Sequence, residues 1–102
     1  MPELSVAIVA ADGEQRAVLQ VLVDGTSVAH SVHTSATFPE TANDPVIRRI
    51  LASAPAVILI DIPVDGPASA LRSIELLHQE LPEAALFAIR HCWSIAEGGR
   101  EP

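Results

Sequence analysis

The stretch APAVILIDIPVDGPASALRSIELL, residues 54–77, contains the most informative feature of the chain. Five consecutive apolar residues, 56–60, lead directly to an aspartate, Asp61. An uninterrupted apolar run of this length predicts a β-strand that is covered on both faces. Because removing a charge from water is costly, we expect a carboxylate in this place to emerge at the strand end with a specific role.

The rest of the chain alternates between strand-like and helix-like segments. Asp12 with Gln15, and Asp44 followed by Pro45, predict helix starts, and apolar residues at spacings of three and four predict a helix that ends before Pro82. The predicted elements in chain order are strand 4–10, a helix to about 23, strand 27–33, a helix from 45 broken by Pro55, strand 56–61, a helix to about 80 and strand 84–89. This βαβαβαβ order predicts an α/β fold with a doubly wound parallel sheet and helices on both sides.

Composition excludes several classes of function. The 102 residues carry a net charge of −7 with six arginines and no lysine, so we expect no nucleic-acid binding. No apolar run approaches the roughly 20 residues that span a bilayer, and the N-terminus lacks a signal-peptide pattern, so we expect a cytoplasmic protein without membrane contact. A single cysteine, Cys92, excludes a disulfide framework.

Asp61 at the end of the third strand makes the chain resemble the receiver domain of response regulators in two-component systems. Pro55 before this strand and Leu81-Pro82 after the next helix also match that family. The resemblance covers residues 4 to about 90, and within the family it is greatest to divergent receivers fused to ParA/MinD-like pilus-assembly ATPases. It implies a flavodoxin-like (CheY-like) three-layer αβα fold in which Asp61 accepts a phosphoryl group from a histidine kinase.

Most of the other residues that receivers use for this chemistry are missing. Receivers place two acids directly after strand one to hold Mg²⁺, and these positions align with Ala10 and Ala11. The hydroxyl residue that ends strand four aligns with Arg90, and the lysine that ends strand five has no counterpart in a chain without lysine. Asp12 and Asp65 are the only candidates for a residual acidic pocket. Phosphoryl transfer depends on such neutralising groups, so we expect no metal site unless Asp61 is a working acceptor that uses Mg²⁺.

After strand four, the family continues through a helix, a fifth strand and a last helix. Residues 1–90 are therefore predicted to form a receiver-like domain truncated after strand four, and residues 91–102 a short helix and a flexible tail. In the family's strand order, 2-1-3-4-5, this loss leaves strand four as a bare apolar edge, and such edges tend to pair. The predicted interface residues are Phe87, Ile89 and Trp93, in a homodimer or with a partner or effector domain.

Three hypotheses follow. The preferred one is a degenerate receiver that acts as a phosphorylation-independent interaction or dimerisation module. Arg90, at the strand-four switch position, is expected either to pair with Asp61, which would relieve the desolvation of this carboxylate, or to be solvated. The second is a phosphoacceptor receiver, and the third is a small flavodoxin-like domain that binds a nucleotide or flavin. We find no catalytic set and expect no enzyme. His30 and His33, three residues apart on a strand, are expected to face opposite sides and not to chelate a metal.

Overall fold

The structure, a computed structural model, describes residues 4–63 and 66–90. Two predicted features lie outside these residues, namely Asp65 and the short helix and tail over 91–102 with Trp93. The elements, in chain order, are β1 (Leu4–Val9), α1 (Gly13–Asp24), β2 (Ala29–Ser35), α2 (Pro45–Ser53), β3 (Val57–Ile62), α3 (Ala68–Glu80) and β4 (Ala85–Arg90).

The four strands form one parallel sheet in the order β2-β1-β3-β4. With three helices in the connections, this is the flavodoxin-like, CheY-like arrangement that the sequence predicted. The central strands β1 and β3 are aligned from Val6 opposite Val57 to Val9 opposite Ile60. The loops that follow these two strands therefore emerge side by side at the carboxyl edge of the sheet.

Each face of the sheet has its own apolar core, because successive side chains of a strand point to opposite faces. On one face, α2 and α3 pack through Ile47, Ile50 and Leu77 against strand residues that include Ile58 and Ile60. On the other face, α1 packs through Leu19 against Val6, Ile8 and Ala10. None of the three described helices is both long and apolar enough to cross a membrane.

The edge strand β2 differs most from its prediction. It lies two residues later in the chain than predicted, and its pairing with β1 shifts between Val6, opposite Ser31, and Ala7, opposite His33. Val32 is an extra residue of β2 without a partner on β1, and it forms a β-bulge. Since His30 pairs with Ser5 and His33 with Ala7, two positions apart on β1, the bulge brings both histidines to the same face. The expectation that they face opposite sides was wrong, because simple alternation does not hold across a bulge.

The helix ends follow the sequence signals closely. The Asp12 carboxylate accepts hydrogen bonds from the backbone N–H groups of Glu14 and Gln15, and Asp44 accepts one from Val46 ahead of Pro45. Both predicted N-caps are confirmed. α2 ends on Ala54, which adopts the left-handed conformation with φ 47° and ψ 58°.

Replacing Ala54 with glycine is expected to stabilise the protein by about 1 kcal/mol, because a Cβ in the left-handed region is strained and glycine is the usual residue there. Ala52→Gly, inside the same helix and also exposed, is the matched control and is expected to destabilise by about 1 kcal/mol. Urea unfolding of both variants measures the difference. Two variants that destabilise equally would show that the helix does not end on residue 54.

Candidate functional site

Asp61 lies at the carboxyl edge of the sheet on the central strand β3, but within the strand instead of at its tip. The strand continues for one more residue to Ile62, and only 4% of Asp61 is exposed. Its Cα is aligned with Ile89 on β4. On the other side, Val9 pairs with Ile60, so Ala10, the residue directly after β1, lies at the level of Asp61. The predicted phosphoacceptor position is therefore a buried carboxylate between two apolar neighbours.

The loop between β1 and α1 provides no second carboxylate that is free to bind a cation. Ala10 is completely buried and Ala11 is exposed, at the two positions where a receiver carries its metal-binding acids. Asp12 is exposed, and its Oδ1 atom accepts from the N–H groups of Glu14 at 2.9 Å and Gln15 at 3.4 Å. This carboxylate is thus oriented by the start of α1, which supports its interpretation as a helix cap.

A guanidinium group lies over the same loop. Arg16 donates from Nη1 to the carbonyl oxygen of Ala10 at 2.9 Å, and its Nη2 is 3.5 Å from the point where a Cβ on Gly13 would lie. The Ala10 N–H donates to the Ser35 carbonyl of β2 at 2.9 Å, so this end of the strand bonds toward β2. The loop after β1 therefore carries a positive charge that is bound to its backbone.

Arg16 was not among the site residues predicted from the sequence. A signal was nevertheless present. Arg16, Leu19 and Val23 follow one another at spacings of three and four, which places the arginine on the sheet-facing side of α1. A long basic side chain in this position lays its apolar stem against the core and delivers its charge to the end of the neighbouring strand.

Arg90 is the last residue of β4, and its Cα is aligned with Ile62, one position beyond Asp61. The side chain of Arg90 lies outside the described part of the structure, so the predicted ion pair with Asp61 stays a prediction. Asp65, the other predicted member of an acidic pocket, belongs to the two residues between 63 and 66 that the structure does not describe.

The acids that the structure describes at this edge do not form a set that fits a magnesium ion. Mg²⁺ is usually held by one or two carboxylates in near-ideal octahedral geometry. Of the acids that the structure describes at this edge, Asp61 is buried and Asp12 accepts hydrogen bonds from a helix. Within residues 4–63 and 66–90, no three His, Cys, Asp or Glu side chains are grouped so that they could hold a metal ion.

A polar clamp fixes the loop after β2 against α3. The Glu40 carboxylate accepts hydrogen bonds from Ser69 at 2.8 Å and from Arg72 at 2.9 Å, and the buried Ser73 hydroxyl donates to the carbonyl of Pro39. The hydrogen bond from Ser69, followed by that from Arg72, lowers the pKa of Glu40. The clamp therefore holds at neutral pH, and it weakens as the pH falls and Glu40 is protonated.

His33 does not extend the site. Burial, together with the positive charge of Arg49, lowers the pKa of this imidazole below its usual 6.5. The ring is therefore mostly neutral at pH 7. Its Nε2 atom is buried and has no hydrogen-bond partner in the described structure. It lies on β2, which β1 separates from the strand of Asp61.

No family model matches the chain, and no curated protein matches it significantly.

Proposed function

We propose that this chain is a degenerate receiver-like signalling domain that acts in the cytoplasm by docking to protein partners, without phosphorylation and without enzymatic activity. The observation that carries the proposal is the substitution of the metal-binding end of β1 by Ala10 and Ala11, with the Arg16 guanidinium bound to the Ala10 carbonyl at 2.9 Å. A receiver fold in which this site is replaced retains its surfaces for protein contacts.

Electrostatics supports the same conclusion. Phosphoryl transfer to a carboxylate needs cations that neutralise the incoming oxygens and acids that hold the metal. Arg16 supplies a cation, but its guanidinium is already bonded to the backbone and opposes a divalent ion on the same loop. Asp61 itself is only 4% exposed, which limits in-line approach of a phosphodonor.

The runner-up is a working phosphoacceptor receiver, and the retained Asp61 favours it. Under that alternative, Mg²⁺ and a histidine kinase are the required cofactor and partner. The third candidate, a nucleotide- or flavin-binding domain, has less support. In folds of this kind, ligands bind at the carboxyl ends of the strands. Among the described residues, an open groove of about 490 Å³, lined in part by Pro55, Leu81 and Pro82, lies instead at the amino ends of β3 and β4.

Incubation with acetyl phosphate and Mg²⁺, followed by intact-mass measurement, separates the first two candidates. We expect no phosphoryl adduct on the native chain, because the residues that the structure describes near Asp61 offer no set that positions the metal or the donor. Asp61→Asn is the matched control for phosphorylation at other sites. An adduct of one phosphoryl group on the native chain, absent from this variant, would establish the phosphoacceptor function instead.

A further inference from the structure

The strand β4 has an open outer side in the described part of the chain. It is the last strand of the sheet and pairs with β3 over all six residues without a register shift. The Ala85 N–H donates to the Ala56 carbonyl at 2.9 Å. In a parallel ladder, both backbone groups of a residue point to the same side and successive residues alternate. The N–H and C=O groups of Leu86, Ala88 and Arg90 therefore point away from β3.

The opposite edge of the sheet is protected, whereas none of the described residues protects β4. β2 carries the bulge at Val32 and is rich in polar side chains, and both features discourage pairing with another chain. β4 has the sequence ALFAIR, with no bulge, no proline and no charge before its last residue. A straight and apolar edge of this kind is a template for strand addition.

An apolar surface adjoins this edge on the α1 side of the sheet. Phe87 is 55% exposed and is aligned with the half-buried Leu59 of β3. The half-buried Ile89 follows on the same face. A strand added beside β4 would cover the Phe87 ring as well as satisfy the free backbone groups.

The distribution of charge favours a second copy of the chain as the added strand. The chain has a net charge of −7, yet no acidic residue lies between positions 84 and 90. Glu83 precedes the strand and Arg90 ends it. When two copies run antiparallel, the basic end of each strand lies beside the acidic start of the other. This edge is thus self-complementary, as a two-fold interface requires.

We propose that two copies of the chain pair through β4, antiparallel and about a two-fold axis at Phe87, to form one continuous eight-stranded sheet. In this register, Leu86 of each copy exchanges two backbone hydrogen bonds with Ala88 of the other. The two Phe87 residues form the central, closely spaced pair without mutual hydrogen bonds. The outward-pointing backbone N–H and C=O groups of Leu86 and Ala88 then all form hydrogen bonds between the two copies. The inference rests on the proposed function, for which it specifies the partner and the surface.

Sedimentation equilibrium of the full chain over a concentration series tests the pairing. We expect a monomer–dimer equilibrium in which Phe87→Lys raises the dissociation constant at least about tenfold, since it places two like charges opposite each other and removes an aromatic pair. Leu71→Lys is the matched control, because Leu71 is 51% exposed on α3, and it is expected to change the constant less than about twofold. Ala88→Pro removes one outward N–H and is expected to weaken the dimer similarly.

Amide hydrogen exchange checks the register independently of any variant. In the dimer, the amides of Leu86 and Ala88 are expected to be protected, and dilution is expected to expose them while Phe87 and Ile89 stay protected by β3. A chain that is monomeric at all concentrations overturns the inference, as does a dimer that Phe87→Lys and Ala88→Pro leave intact. Folding of each variant is verified by circular dichroism.

The same samples separate this inference from the proposed function. A monomer whose mass does not change with acetyl phosphate overturns the pairing and leaves the degenerate-receiver proposal standing. A β4-dependent dimer that acquires a phosphoryl group on Asp61 supports the pairing and overturns the degenerate-receiver proposal.

Discussion

Replacing Ile60 with alanine is expected to lower the free energy of unfolding by about 4 kcal/mol, the upper part of the range for fully buried isoleucines. Ile60 is completely buried at the centre of β3, between Val9 of β1 and Ala88 of β4. Its side chain contributes to the core beneath α2 and α3. Since a domain of this size is typically stable by only about 5–15 kcal/mol, the variant is expected to lose at least about a quarter of its stability.

Urea unfolding measures this effect, with Leu71→Ala as the matched control. Leu71 is 51% exposed on α3, so its truncation is expected to cost less than about 1 kcal/mol. A loss below 1 kcal/mol for Ile60→Ala would show that β3 is not the covered central strand, and the assignment of Asp61 to the carboxyl edge of the sheet would fail with it.

Replacing Ala10 with aspartate is expected to destabilise the protein by about 3 kcal/mol at pH 7. Ala10 is completely buried at the level of Asp61 on the adjacent strand, so the new carboxylate would be removed from water beside another acid. Arg16 at the Ala10 carbonyl offsets part of this cost. Burial and like charge raise the pKa of the introduced group above its unfolded value. The penalty therefore grows as the pH rises through the unfolded pKa, and it is smaller in acid.

The adjacent residue provides the control for this prediction. Ala11 is exposed, and Ala11→Asp is expected to change the stability by no more than about 0.5 kcal/mol. Urea unfolding of both variants at pH 7 and at pH 5 makes the comparison. Equal small effects would contradict the burial of position 10 and its place beside Asp61. A large loss at position 10 that Mg²⁺ reverses would indicate that one substitution restores a metal site.

The fold was predictable from the sequence where local signals were strong. The apolar run before Asp61 identified β3, and Asp12 and Asp44 identified two helix starts, because these signals depend on near neighbours in the chain. The bounds of β2 and its bulge were not predictable, since the alternation there is weak and the bulge arises from pairing with β1. The bulge also reversed the expected relation between His30 and His33.

The candidate site was predicted in part. Asp61 and the loop that contains Ala10 and Ala11 lie at adjacent positions, as the strand order required. The role of Arg16 was missed, because its contact with the Ala10 carbonyl depends on how α1 packs against β1. Its spacing from Leu19 was the only sequence signal, and an arginine on such a face is easily assigned to solvent.

The thermal unfolding midpoint in the presence of Mg²⁺ and beryllofluoride, a mimic of the bound phosphoryl group, tests the central claim most directly. A ligand that binds only the folded state must raise this midpoint. If cation-holding acids are truly replaced beside Asp61, the native chain and Asp61→Asn will both show no shift. A clear rise of the midpoint in the native chain, absent from Asp61→Asn, would contradict this claim and show a working phosphoacceptor site.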